Sequence, residues 1–229
     1  MFALTLESTG ARAAVDRTTS SLCDQAAMKA SRRHDVPLDV MAAITRTETG
    51  RGSAGELLPW PWTVNMEGAG RWFETRTSAE AFARANHAQG VRSFDVGCFQ
   101  INYKWHAAAF DSLEDMFDPA VNADYAARFL AELFAEFGDW KSAAGAFHSR
   151  SPEFANIYEA RFQQIRQSLN AAEVSGRQRS TGFGPSAALD LVGGLVAGPF
   201  LGSGNARLGS LVPLEGRGAT SPSRFSLFH

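Results

Sequence analysis

The chain has 229 residues, 45% apolar and 20% charged, which is enough to bury one sizeable core and marginal for two. A formal net charge of −2 and a pI near 6.2 lack the basic excess that phosphate neutralisation demands, so a nucleic-acid partner is not expected. No stretch approaches the roughly 20 continuous apolar residues of a membrane span; the best, Ala187 to Leu201, is broken by Asp190, three glycines and Pro199.

At the N-terminus, Met1 to Leu6 runs at once into Glu7, with Arg12, Asp16 and Arg17 close behind. No basic region precedes an apolar run, so no secretory signal is visible, and residues 1–19 are expected to form a flexible lead. A helix is expected over 20–34, with Leu22, Ala26, Ala27 and Ala30 on one face. Asp35 to Gly50 is better defined: Asp35 is placed to cap, Pro37 suits the first turn and Gly50 can close the C-terminus. From Gly52 to Asn102 the chain is rich in Gly, Trp and Thr, which predicts loops and a small hairpin with one strand at Trp62 to Asn65, then a helix over Ser78 to Ala88.

Asn122 to Gly138 is the most regular segment, because Tyr125, Ala126, Phe129, Leu130, Leu133, Phe134 and Phe137 form a wide apolar stripe. Asp139 can cap a short helix through Phe147, and a last helix from Pro152 to Leu169 carries Phe154, Ile157, Tyr158, Phe162, Ile165 and Leu169 on one side. Composition then changes. All five tryptophans and all three tyrosines precede Ala171, whereas eleven of the 21 glycines follow it. Such a tail cannot bury enough surface to offset its ordering entropy, so residues 172–229 read as a largely disordered tail with a short helix near Ser186 to Leu195. The expected fold is a mainly helical domain over 20–171 with a small β-hairpin insertion.

Candidate chemistry starts at Glu48. Leu38, Met41, Thr45 and Glu48 share one helix face, which puts the carboxyl on the side that should be buried. Glu48 also lies in the last helical turn, where the helix dipole disfavours negative charge. Both effects raise a carboxyl pKa, as a general acid near neutral pH requires. The competing reading is a carboxylate at a frayed helix end, paired with Arg46 or Arg51. The string Asp95-Val-Gly-Cys-Phe-Gln-Ile-Asn102 places a glycine ahead of one amide, Gln100, whose donors and acceptor suit sugar hydroxyl and acetamido groups, or simply buried backbone. Trp60, Trp62, Asn65, Trp72 and Trp105 flank these segments as a saccharide groove would need, although tryptophans also build cores. His148 ends a helix and Tyr158 follows. Two cysteines, Cys23 and Cys98, cannot make a tetrahedral zinc site, and the five histidines show no ligand spacing beside them; no metal or cofactor is expected. The pair is either two buried thiols or one bridge.

In order, Glu48-Thr49, Gly97-Cys98-Phe99-Gln100-Ile101-Asn102, Ala146-Phe147-His148-Ser149 and Tyr158 resemble the four-motif signature of the lysozyme-like lytic transglycosylases of the soluble-lytic-transglycosylase type. The likeness spans roughly Cys23 to Leu169. Thr49 stands for the usual Ser, Cys98-Phe99 for Leu-Met, and Phe147-His148 for Tyr-Asn. The resemblance implies an α+β lysozyme-like fold and cleavage of the MurNAc-β-1,4-GlcNAc bond of peptidoglycan with formation of 1,6-anhydroMurNAc. It implies Glu48 as acid and then base, with Thr49, Trp62, Asn65, Gln100, Asn102, His148 and Tyr158 holding glycan. Proline-tryptophan and Asp-Val-Gly strings resemble a bacterial subgroup tied to flagella or secretion systems, which implies a periplasmic site and a flagellar rod or secretion-system partner reached through the tail. Should the first helix pack behind the Gly97 motif, a Cys23–Cys98 bridge would pin that motif and imply an oxidising compartment. The alternatives are a hydrolytic muramidase, with Asp95 or Glu67 as base, and a non-catalytic peptidoglycan-binding module.

Overall fold

The computed structural model describes residues 9–53 and 56–181. The expectations for residues 1–8 and for the tail beyond residue 181, including the helix near Ser186, lie outside the described residues. In chain order the elements are α1 (Thr9–His34), α2 (Leu38–Thr49), β1 (Arg51–Ser53), β2 (Glu56–Leu58), β3 (Thr63–Met66), β4 (Ala69–Trp72) and α3 (Arg76–Ala88). They continue with β5 (Phe94–Val96), β6 (Ile101–Asn102), α4 (Tyr103–His106), a single 3₁₀ turn (Ala107–Ala109), α5 (Leu113–Met116), α6 (Pro119–Phe137), α7 (Trp140–His148) and α8 (Pro152–Thr181). The protein is mainly helical with two small antiparallel sheets, β1-β2 and β4-β3-β5-β6.

Helix ends follow local chemistry. Asp118 caps α6 by accepting the Ala120 and Val121 N–H groups, with Pro119 at the first helical position. Asp139 caps α7 through the Ser142 N–H, as its sequence suggests. Asp35 does not cap α2. It takes a left-handed conformation (φ 54°) and ends α1 instead, with the Val36 N–H bonded to Ser31 O, the long-range bond of a Schellman close. Gly50 caps the C-terminus of α2 without a left-handed turn, at φ −55°. Its lack of a side chain is what matters, because a Cβ there would lie 2.3 Å from Arg46 O and 2.8 Å from the Leu57 side chain.

Packing places α1 on α6, α2 on α8, and α7 against both α6 and α8. The α1 and α6 faces are alanine-rich and fully or nearly buried (Ala26, Ala27 and Ala30; Ala123, Ala126 and Ala127), which lets the two backbones come close. Val64, Val96 and Ile101 turn one face of the larger sheet into the same core, joined by Met41, Ile44, Leu130, Phe147 and Phe162. Two helices are longer than their apolar patterns: α1 starts at Thr9 rather than near residue 20, and α8 runs past Leu169 to Thr181. Alanine, Arg, Gln and Glu in those extensions are good helix formers that leave no apolar stripe to read. On α8, Tyr158 and Phe162 are buried but Ile157 is 58% exposed, and on α2 Leu38 is 43% exposed, so neither belongs to the inward face expected for it. Gly52 to Asn102 holds six strands rather than one hairpin.

Cys23 in α1 and Cys98 after β5 form a disulfide, both residues fully buried. It closes a loop with a sequence separation of 75. Chain-entropy reasoning for that length assigns it about 4 kcal/mol of stability. Urea titration should therefore show the unfolding free energy of Cys23→Ser/Cys98→Ser falling by about that amount, and thiol counting on unreduced, denatured wild type should find none free.

Candidate active site

Glu48 lies in the last turn of α2, half-buried, where α8 crosses. Tyr158 of α8 donates its hydroxyl to Glu48 Oε1 at 2.8 Å. Tyr158 itself is 6% exposed, and burial together with the Glu48 charge holds its phenol well above its ordinary pKa. Arg161, one turn further along α8, feels the same carboxylate: burial pushes the guanidinium pKa down, while the charges at Tyr158 and Glu48 oppose it. The two arginines considered as partners in sequence are engaged elsewhere. Arg46 grips Asp24 through two hydrogen bonds, and Arg51 reaches Glu74 at 3.4 Å while lying over the Trp60 ring.

Behind Glu48, buried hydrogen bonds tie α2 to the sheet. The Thr49 hydroxyl lies 2.8 Å from Thr45 O and 3.4 Å from Cys98 O, and it accepts the Trp60 N–H at 3.1 Å. The Thr63 hydroxyl donates to Trp60 O, and Thr63 O accepts both the Gly97 N–H and the Gln100 side-chain amide. Gln100 also donates to Gly97 O and holds a left-handed backbone at φ 47°. One continuous chain of contacts thus runs from Gln100 to the residue beside Glu48. Thr49, 1% exposed, belongs to that chain.

Asn122 of α6 was not singled out by the sequence, yet it organises the turn between β5 and β6. Fully buried, it accepts the Phe99 N–H and donates to Val96 O and Met116 O. Gly97 stands against it at φ +81°, and a Cβ there would meet the Asn122 amide nitrogen at 2.7 Å. Only glycine fits both the angle and the contact. The carboxamide pattern is invisible in sequence because its partners lie on other elements.

Strand register places Asn65, Asp95 and Asn102 side by side across β3, β5 and β6. Asp95 is 2% exposed and accepts the Asn102 amide at 2.7 Å. Glu67, by contrast, sits exposed in the β3–β4 turn at φ 51°. Among the tryptophans, Trp60 and Trp62 are buried. Trp72 is 41% exposed, and its indole N–H donates to Thr49 O, so a flat apolar face lies next to the catalytic candidate. Trp140 stacks on Phe134, at the α6–α7 end. A separate groove of about 560 Å³, lined by Met28, Leu38, Ala42, Arg46, Leu169 and Ala172 among others, lies where α1, α2 and α8 meet and includes neither Glu48 nor any of the candidate glycan-binding residues.

His148, the last residue of α7, stacks on Tyr158 with ring centroids 4.5 Å apart and planes 12° from parallel. Burial lowers its pKa from 6.5 to about 4. Between those values the unfolded chain holds a proton that the folded chain does not, so stability falls as pH falls through that window. Relative to His148→Phe, wild type should lose about 3 kcal/mol between pH 6.5 and pH 4, read by denaturant unfolding across that range.

Comparison with protein-family models, with curated proteins and with solved structures yields no match.

Proposed function

We propose that this chain is a lysozyme-like lytic transglycosylase acting on peptidoglycan. The observation that carries the reading is the 2.8 Å contact between Tyr158 and Glu48, because it joins the first and last of four sequence motifs at one carboxyl group. Support comes from the Gln100 turn, tied to the same helix end through Thr63, Trp60 and Thr49. Glu48, protonated, gives its hydrogen to the glycosidic oxygen leaving MurNAc, while the muramyl acetamido group assists at the anomeric carbon. The resulting carboxylate receives the Tyr158 O–H, since a hydroxyl can either accept or donate. Glu48 then takes the proton of the muramyl 6-hydroxyl as that oxygen closes the 1,6-anhydro ring. Bond cleavage and ring closure balance without water, so one residue serves in turn as acid and base.

Of the residues the resemblance assigns to substrate, Thr49 and Asn102 face protein partners and act by holding the frame. Gln100 likewise spends its amide on Thr63 O and Gly97 O, and Trp62 is buried; the half-buried Asn65 and the exposed Trp72 face beside the end of α2 are left to meet glycan. A buried disulfide suits an oxidising compartment, and with it the periplasm. Recruitment to a flagellar or secretion machine through residues 172–229 completes the proposal.

A hydrolytic muramidase is the second reading, favoured by one observation: Asp95 is a buried carboxylate that accepts the Asn102 amide and lies opposite Asn65 in the sheet register. Two-carboxylate glycosidases use such a second acid to activate water or to attack the sugar.

Mass spectrometry of digested sacculi separates the two, because anhydro ends are lighter than reducing ends by one water. The transglycosylase reading expects anhydro ends, with Glu48→Gln folded and slower by at least about 10². Reducing ends, or wild-type turnover in Glu48→Gln, would contradict it. Asp95→Asn separately tests the muramidase: retained anhydro products set Asp95 aside, whereas loss of reducing-end products would establish it as the second carboxylate.

A further inference from the structure

His148 is 7% exposed and its Nδ1 is sealed from solvent without a hydrogen-bond partner among the described residues. Buried nitrogens retained for hydrogen bonding are almost always paired, so the feature of His148 that the fold uses is its flat ring. That ring covers one face of Tyr158. A tyrosine's ring torsion is broad; turning it leaves the phenol oxygen on its axis but rotates the plane in which the O–H lies, so the groups packed on the ring faces set the direction in which that hydrogen points. Phe147, the preceding residue, faces the core and Phe129, leaving His148 as the aromatic ring stacked on the phenol among the described residues.

We infer that His148 is a positioning residue whose ring clamps Tyr158 in the orientation that delivers its hydroxyl to Glu48. The inference deepens the proposed function and rests on Glu48 as the proton carrier. Neutrality is part of the design. An imidazolium there would be a buried cation without a counter-charge of its own, and burial keeps the ring uncharged at neutral pH, with a pKa of about 4. A neutral ring stacks on the phenol without competing for the Glu48 carboxylate.

The test uses the full chain with soluble glycan strands as substrate and compares His148→Ala, His148→Phe, Tyr158→Phe and the double variant His148→Ala/Tyr158→Phe. His148→Ala should lower kcat by about tenfold or more with KM within about twofold, the pattern of a group acting in the transition state. His148→Phe restores the ring without the nitrogens and should recover most of that loss. Tyr158→Phe should cost far less in the His148→Ala background than in wild type, because the two act as one unit. An activity-independent readout comes from ¹³Cζ-tyrosine NMR. Tyr158 should resist ionisation in wild type and His148→Phe, and should titrate closer to the ordinary value of about 10 in His148→Ala. The inference is overturned if His148→Phe is no better than His148→Ala, if the loss falls on KM, if the double variant is additive, or if the Tyr158 titration is unmoved. A wild-type chain that cleaves no glycan while His148→Ala still frees the tyrosine would refute the functional reading and support the clamp.

Discussion

Everything at the candidate site depends on a hydrogen bond between residues 110 positions apart, from the Tyr158 hydroxyl to the Glu48 carboxylate. A carboxyl at a helix C-terminus is disfavoured by the dipole and needs partners supplied from outside the helix. Here they come from α8, which brings the phenol into contact and Arg161 into electrostatic range. That requirement fixes how α2 and α8 must meet: Phe162 follows one turn after Tyr158 and is fully buried, and the Asp39–Arg166 ion pair joins the same two helices further along. The apolar stripe of α8 and the chemistry of its tyrosine are therefore one packing arrangement.

The other side of the site is rigid for a different reason. The turn after β5 has two residues in the left-handed region, Gly97 and Gln100, a conformation that survives only where the surroundings over-determine it. Three constraints do so: the Asn122 carboxamide across its backbone, the disulfide to α1, and the Gln100 amide folded back on Thr63 and Gly97. Removing the Asn122 side chain would take a hydrogen bond from three backbone groups, Phe99 N–H, Val96 O and Met116 O, at about 1–3 kcal/mol for each group left unpaired.

Local chemistry made much of this readable from sequence. The α6 stripe as far as Phe134, the Asp139 cap and the Thr63 strand follow from periodicity and capping, though Phe137 at the stripe's end is 42% exposed, and Glu48 and Tyr158 stand out through motif order. What escaped depends on contacts between distant segments. Asp35 has the composition of an N-cap, yet the α1 close captures it first. Strands as short as β5 and β6 carry no alternation to detect, so their pairing and the Asn65–Asp95–Asn102 row emerge only from register. Asn122 looks like one polar residue at the start of an apolar helix; its three partners lie on the Val96–Phe99 segment and at Met116. The exposure of Leu38 and Ile157 likewise depends on which elements cover each helix face, which helical periodicity alone does not encode.

The most direct measurement is a crystal structure of the Glu48→Gln chain soaked with a GlcNAc–MurNAc oligosaccharide. Acid catalysis by Glu48 requires a glycosidic oxygen within hydrogen-bond reach of residue 48, with the muramyl sugar between the Tyr158 hydroxyl and the Gln100 turn. Sugar seated instead in the groove between α1, α2 and α8, with residue 48 bare, would contradict it.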